Sequence, residues 1–508
     1  MDFRRTVLGR LLALAAALLL AGVPIIGGDR LFGEEPQPEE PTTTSTVELL
    51  HRLERAEDEL RYLRGRDEQR TIPSRDGYAQ LIDQTSLRFV GPQSNLSGND
   101  CCQCGLCDGP ATVCQGNGGL CQLCEDKLSW NKGSWSIIPF GFLTGETIAT
   151  STGTNARPFI LRLLPRAGTD LAGNQLDQSR FTVHGQTTAL GLNFSGPSIG
   201  SMRLGGMILF NFLGDRPALN QATPFFLRGY GELANDRWRF RFGQQGDLFN
   251  PLDPNTVNFG GNKQAGNGGS FRGALRATRF IRPNERVEWT IDAALSQQAV
   301  NDFVVDPFVV GTDNGLPNLE GRIGVGLGSV SGGMRPLEMG ISGVIGETRS
   351  IGFLQIVSDT WGVSLDARLT GKRMGVRAEF LVGEAIGTYN AGIGQSLNQE
   401  TLLGIETYAG WAEWWLKLNE CVTFHTGYGI DDPRNEDLGV IRADPFDPLS
   451  TPIAGQAARN EVFWANLIWD VSKQFDVGFE VAYRETDYIA PSVSNTGMIY
   501  HFRARLKF

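Results

Sequence analysis

The last eleven residues, Met498-Ile-Tyr-His-Phe-Arg-Ala-Arg-Leu-Lys-Phe508, alternate in polarity. On an extended strand Tyr500, Phe502, Ala504, Leu506 and Phe508 share one face, while His501, Arg503, Arg505 and Lys507 share the other. One face is wholly apolar and the other is cationic. A water-soluble sheet hides such an apolar face against a second layer. A transmembrane barrel turns it to lipid and gives the polar face to a watery interior. The same period-two pattern recurs from Ser134 onward. The fold class to expect is therefore an all-β membrane protein, an antiparallel transmembrane β-barrel of about 16 strands over residues 134–508.

Composition is consistent with this once the two faces are counted separately. The 508 residues are 41% hydrophobic with a mean hydropathy of −0.18, values that look soluble. Half of every barrel strand faces water, so a barrel looks soluble too. A formal net charge of −10 argues against non-specific nucleic-acid binding, which needs a basic surface.

Arg4, Arg5 and Arg10 precede an apolar run over 11–26, the pattern of a secretory signal over 1–28. A permanent anchor is the alternative, and the run is short for a spanning helix. No Cys follows Leu20-Ala-Gly-Val23 to take a lipid. Later apolar runs are too short to span as helices, so any spanning falls to strands. Residues 29–46, rich in Pro, Glu and Thr, read as a flexible spacer. Ser45 and Glu48 then fit a capping box, and Leu49, Leu53, Ala56, Leu60 and Leu63 follow a coiled-coil seam over 47–70. About three heptads are marginal alone, so this stem is an addition to a larger oligomer. The other reading is a short amphipathic helix lying on its own protein.

The connections between the alternating segments also point to a barrel. Asn235-Asp236, Arg282-Pro-Asn-Glu285, Lys372-Arg373, Asn419-Glu420 and Ser472-Lys-Gln474 are tight turns. They interleave with Gly-, Asn- and Pro-rich loops over 249–269, 300–318, 385–401 and 430–460. Short turns at one end and long loops at the other are expected of an outer-membrane barrel.

Arg237-Trp-Arg-Phe-Arg-Phe242 fixes the orientation of the fifth strand. Trp238, Phe240 and Phe242 face lipid, so Arg237, Arg239 and Arg241 line the interior. Arginine on the lipid face near mid-membrane would cost about 2–4 kcal/mol each. Arg228, Arg272, Arg276, Arg503, Arg505 and Lys507 extend the basic lining. Glu232, Asp292, Asp366, Glu379, Asp476 and Glu480 are acidic candidates on the same inner face. A cationic wall favours anions, orienting carboxylates and phosphates through bidentate Arg contacts. Alternatively these arginines pair with Asp and Glu across the interior and merely solvate it.

The loop Asp247-Leu-Phe-Asn-Pro-Leu-Asp-Pro-Asn-Thr-Val-Asn-Phe259 has the turn chemistry of a compact, folded loop. Its place after the fifth strand resembles the inward-folded constriction loop of general porins. Together with the stem, Phe240-Arg-Phe-Gly-Gln-Gln-Gly-Asp-Leu-Phe-Asn-Pro-Leu252 resembles the DcaP-like trimeric outer-membrane porins. The resemblance covers the stem and the barrel, and is most specific between Gly243 and Phe249. It implies a sixteen-stranded homotrimer in the outer membrane, a periplasmic stem, and passage of small anionic or neutral solutes with no cofactor. The terminal Phe508 resembles the signal read by the bacterial barrel-assembly machinery.

Residues 71–133 depart from that pattern. They hold Cys101, Cys102, Cys104, Cys107, Cys114, Cys121 and Cys124, with Cys421 alone elsewhere. Cys104-x-x-Cys107 and Cys121-x-x-Cys124 have zinc-ribbon spacing. Export into an oxidising compartment favours a disulfide framework instead, and an iron–sulfur or redox role is a third reading. Seven is odd, and Cys421, beside the turn Asn419-Glu420, is positioned to supply a partner from the barrel's periplasmic rim. His51, His184, His425 and His501 carry no local nucleophile motif, which argues against a barrel protease or lipase. A structural envelope protein, tethered through the stem and the Cys-rich module, is the reading of another class.

Overall fold

The computed structural model describes residues 129–155, 160–167, 176–213, 223–298, 309–310, 315–330, 334–350, 356–440 and 455–508. The expected signal, spacer, stem and cysteine cluster lie outside the described residues. Nineteen strand segments form one sheet. Trp130–Lys132 and Val309–Val310 are short additions to its edges, and two further segments are halves of one interrupted strand. Sixteen barrel strands remain. They are β1 (Trp135–Thr150), β2 (Arg180–His184 with Ala189–Ile199), β3 (Met202–Asn211), β4 (Phe225–Ala234), β5 (Trp238–Gly246) and β6 (Phe271–Asn284). Then come β7 (Val287–Ser296), β8 (Asn318–Leu327), β9 (Leu337–Ser350), β10 (Val357–Thr370) and β11 (Met374–Glu384). The last five are β12 (Glu406–Lys417), β13 (Val422–Pro433), β14 (Ala457–Asp470), β15 (Phe475–Tyr488) and β16 (Asn495–Lys507).

Every strand pairs antiparallel with its sequence neighbour. The ring closes where β16 meets β1, from Ile499↔Thr150 to Lys507↔Phe142. Closure removes the free sheet edge and satisfies each strand's backbone on both sides.

Side chains sort as the alternation requires. On β16, Tyr500, Phe502 and Leu506 are each 45% exposed on the outer surface, whereas His501 and Arg503 are 1% and Arg505 4% exposed inside. Outward tryptophans Trp238, Trp289, Trp414 and Trp469 sit near the short-turn ends of their strands. Outward tyrosines Tyr408, Tyr428 and Tyr483 sit near the other ends, with hydroxyls donated to Asp432, Glu461 and Glu485. Amphipathic rings at both rims match the two polar interfaces of a bilayer.

The short turns owe their shape to side-chain acceptors. Asn235 Oδ1 receives the N–H groups of Arg237 (2.9 Å) and Trp238 (2.8 Å). Asn419 Oδ1 receives those of Cys421 and Val422, both at 2.8 Å. Such Asx turns give a reversing chain its hydrogen bonds without a longer loop.

The expected alternation of short and long connections is not strict. Connections 351–356 and 489–494, at the long-loop end, are as short as turns, while 328–336 at the other end is longer. The expected loop 430–460 is also trimmed, because β13 runs on to Pro433 and β14 begins at Ala457. Asp431 and Asn460 pair directly there, so alternation carries the ladder into residues that composition alone marks as loop.

Candidate functional site: the barrel interior and its inward loop

Residue 247 leaves β5 at the long-loop end, and the chain does not return to the sheet until Phe271. Between them the loop folds inside the barrel, where Leu248, Phe249, Val257 and Phe259 are all buried. Left-handed backbone at Asn250 (φ 59°) and Asn262 (φ 59°) lets it double back, a conformation Asn tolerates well.

Four carboxylates on the inner wall hold its backbone. Leu248 N–H donates to Glu320 on β8 (2.7 Å), and Leu252 N–H to Glu379 on β11 (2.6 Å). Asn255 N–H donates to Glu413 on β12 (2.6 Å), and Val257 N–H to Glu480 on β15 (2.7 Å). Charge-assisted bonds of this kind contribute about 1.5–3 kcal/mol each. Pro251 and Pro254 lie between the donors and have no N–H to leave unsatisfied. Arginines take the carbonyls: Arg377 Nη1 donates to Asp253 O (3.1 Å) and Arg503 Nη1 to Val257 O (3.4 Å). Inside the loop Lys263 is bound to Asp253 (2.8 Å) and Asn267 (3.1 Å). At its root Arg272 grips Asp247 (2.6 Å).

The sequence-expected basic residues separate into groups. Arg239 and Arg241 point inward from β5 and share one carboxylate, Glu232 (3.4 and 2.6 Å). Rings hold them flat: Arg241 lies 4.7 Å from the Tyr230 centroid, and Arg239 5.1 Å from that of Phe280. Arg276 on β6 pairs with Asp292 (2.8 Å), and Arg228 lies over Phe271 (4.7 Å). Arg503, Arg505 and Lys507 converge on Asp476 (3.7, 2.9 and 2.7 Å). Arg237 stands apart, exposed in the turn before β5 because the strand begins one residue later. Arg272 is fully engaged at the loop root.

The expected acidic residues all sit on inward registers, and three of the six, Glu232, Asp292 and Asp476, lie beside these cations. Others went unnoticed in the sequence. Arg322 pairs with Asp366 (2.6 Å), Arg368 with Glu338, and Arg377 with Glu413 (3.8 Å). Glu146 lies between His501 (3.0 Å) and His184 (3.6 Å), and His425 lies on Glu413 (2.7 Å). These histidines are therefore buried beside carboxylates rather than solvated. The signal was present, since each of these residues is polar at an inward register of an otherwise apolar alternation.

Among the described residues, no group of three or more His, Cys, Asp or Glu is placed to hold a metal ion. Cys421 is 2% exposed at the short-turn end and its sulfur is in a disulfide. The remaining seven cysteines lie outside the described residues.

No protein-family model matches the chain, and no curated protein matches it in sequence. In structure it is similar to the outer membrane channel DcaP of Acinetobacter baumannii, with 16% identity, 74% of this chain and 99% of that chain covered, and a TM-score of 0.56. Weaker likenesses include outer-membrane OmpT of Vibrio cholerae (10% identity, 75% and 100% covered, TM-score 0.46) and an anion-selective porin from Comamonas acidovorans (12%, 74% and 100%, TM-score 0.45). The likeness to the DcaP channel is one of fold, the fold that the sequence resemblance implied.

Proposed function

We propose that the chain is an outer-membrane porin, a channel for passive diffusion of small hydrophilic solutes with a preference for anions. The observation that carries this reading is the unequal exposure of paired charges in the interior. The side chains of Arg239, Arg241, Arg276 and Arg322 are 30%, 21%, 22% and 17% exposed. Their partners Asp292 and Asp366 are 1% and 3% exposed, and Glu232 14%. In these pairs the guanidinium group stands in front of the carboxylate and a solute meets the cation first, whereas at Arg368–Glu338 the order is reversed, with side chains 15% and 34% exposed. Two arginines sharing Glu232 leave a further surplus of positive charge. Such a wall lowers the barrier for carboxylates and phosphates. Replacing Arg239 and Arg241 by Gln should move the reversal potential in a salt gradient towards cations. A parent channel that strongly prefers potassium over chloride would refute the anion preference.

A homotrimer is supported by the outer surface. At the long-loop end of β9–β15 the outward residues are charged: Glu347 opposite Asp359, Glu384 opposite Glu406, Glu461 opposite Glu485. At the same end of β2–β4 they are Phe181 (70% exposed), Val183 (60%), Phe210 (38%) and Phe226 (38%). Headgroups solvate the first arc and not the second, so the second faces neighbouring copies. In native membranes Phe181→Cys should cross-link between copies through a bifunctional maleimide, whereas Tyr408→Cys should not. Cross-links confined to Tyr408→Cys would place the contact on the wrong arc.

The Cys-rich segment belongs, in this reading, to the periplasmic side with the stem. Trp130–Lys132 joins β1 at the short-turn end, the end that carries Cys421. Every other cysteine of the sequence falls between 101 and 124, which supports a disulfide between Cys421 at the barrel rim and that cluster. Non-reducing peptide mapping of protein taken directly from membranes should recover a Cys421 peptide joined to one from the cluster. A free, alkylated Cys421 in an intact barrel would exclude the staple.

A further inference from the structure

The connection 385–405 between β11 and β12 reads in sequence as one of several external loops, but residues 385–398 are all buried. Two short 3-10 turns, Gly387–Tyr389 and Gly392–Gly394, lie within this segment, linked to the inner wall and to loop 247–270.

Tyr389 is its keystone. Its ring lies 3.6 Å from the Arg272 guanidinium and meets Phe249 edge-on at 5.4 Å. Its hydroxyl donates to Glu320 (3.1 Å) and accepts from Asn318 (2.9 Å). Arg272 and Glu320 are also anchors of the first loop, so one cluster fastens both. The backbones are joined as well. Gly269 N–H donates to Tyr389 O (2.7 Å), Asn390 Nδ2 donates to Gly269 O (2.7 Å), and Arg272 Nη2 donates to Thr388 O (3.1 Å).

The far side of the segment is held from β13. Asp431 accepts the N–H groups of Gly392 (3.0 Å) and Ile393 (2.8 Å). Arg162, from the connection between β1 and β2, donates to Ile393 O (3.3 Å). Ile393 is a β-branched residue at φ 57°, a left-handed conformation that is strained for such a side chain and persists only where surrounding contacts impose it. A segment with this many buried bonds is part of the interior wall, not a mobile external flap.

We infer that the constriction is built from two loops, and that residues 385–398 set the size limit of the solutes that pass. This rests on the porin reading. The first loop follows the wall past β8, β11, β12 and β15. The second adds a layer of polypeptide above it on the long-loop side, so a solute must clear both.

The test uses the full-length protein in planar bilayers and in liposome-swelling assays with neutral sugars of increasing size. Replacing residues 386–403 by a short Gly-Ser linker should raise single-channel conductance and admit sugars that the parent excludes. Tyr389→Ala, which keeps the chain length and removes the keystone, should shift both in the same direction by less. The reversal potential should stay near that of the parent, because the exposed arginines are elsewhere. If both variants keep the parent's conductance and sugar cut-off, the second loop is no part of the constriction. A parent that gives no channels at all overturns the porin reading and this inference with it, whereas parent-like variants overturn this inference alone.

Discussion

Everything inside this barrel depends on carboxylates that face inward and accept backbone N–H groups. Glu320, Glu379, Glu413 and Glu480 lie on four strands spaced around half the circumference, and together they fix the path of residues 248–257. Among the described residues Glu379 and Glu480 form no ion pair, so the N–H donors of the loop, with Trp411 and Asn466, balance their burial. Fixing a residue's backbone costs about 1–2 kcal/mol, so four such bonds cannot order the whole loop. The remainder comes from Lys263 on Asp253, Arg272 on Asp247, and the apolar contacts of Phe249 and Phe259. The barrel is therefore a frame whose inner charges divide between pairing along the wall and seating its own loops.

That use of charge determines which basic residues keep an exposed edge in the interior. Arg377, Arg484 and Arg503 are bonded to loop atoms and buried. Arg239, Arg241, Arg276 and Arg322 hold wall carboxylates and no loop atom, and keep an exposed edge. The inner pairs supply the geometry for mutual neutralisation, and the cationic wall belongs to the proposed anion preference. Pairing dominates by number, and in the proposed channel exposure decides which member of each pair a solute meets.

The strands were legible because a two-sided barrel imprints a period of two on every crossing, and Phe240-Arg-Phe-Gly or Tyr500-His-Phe-Arg can be satisfied in one orientation only. The Pro, Asn and Asp content of 247–259 marked a compact loop, and its inward path was expected from the resemblance of its place in the chain to the constriction loop of general porins. Residues 385–398 were not legible. Ala385-Ile-Gly-Thr-Tyr-Asn-Ala-Gly-Ile393 carries no mark of burial, and the contacts that bury it come from Arg272, Glu320 and Asp431, far away in sequence. Arg237 was assigned to the strand because its neighbours continue the alternation, whereas Asn235 closes the turn around it and leaves it outside. Loops seated by distant partners escape local pattern reading for the same reason in each case.

Amide hydrogen exchange at Leu248, Leu252, Asn255 and Val257 tests the seating of the inward loop most directly. The account predicts protection at these four positions approaching that of the strand amides of β8, β11, β12 and β15. Exchange at all four as fast as in an open surface loop would contradict it, and would mean that the wall carboxylates face water rather than the loop.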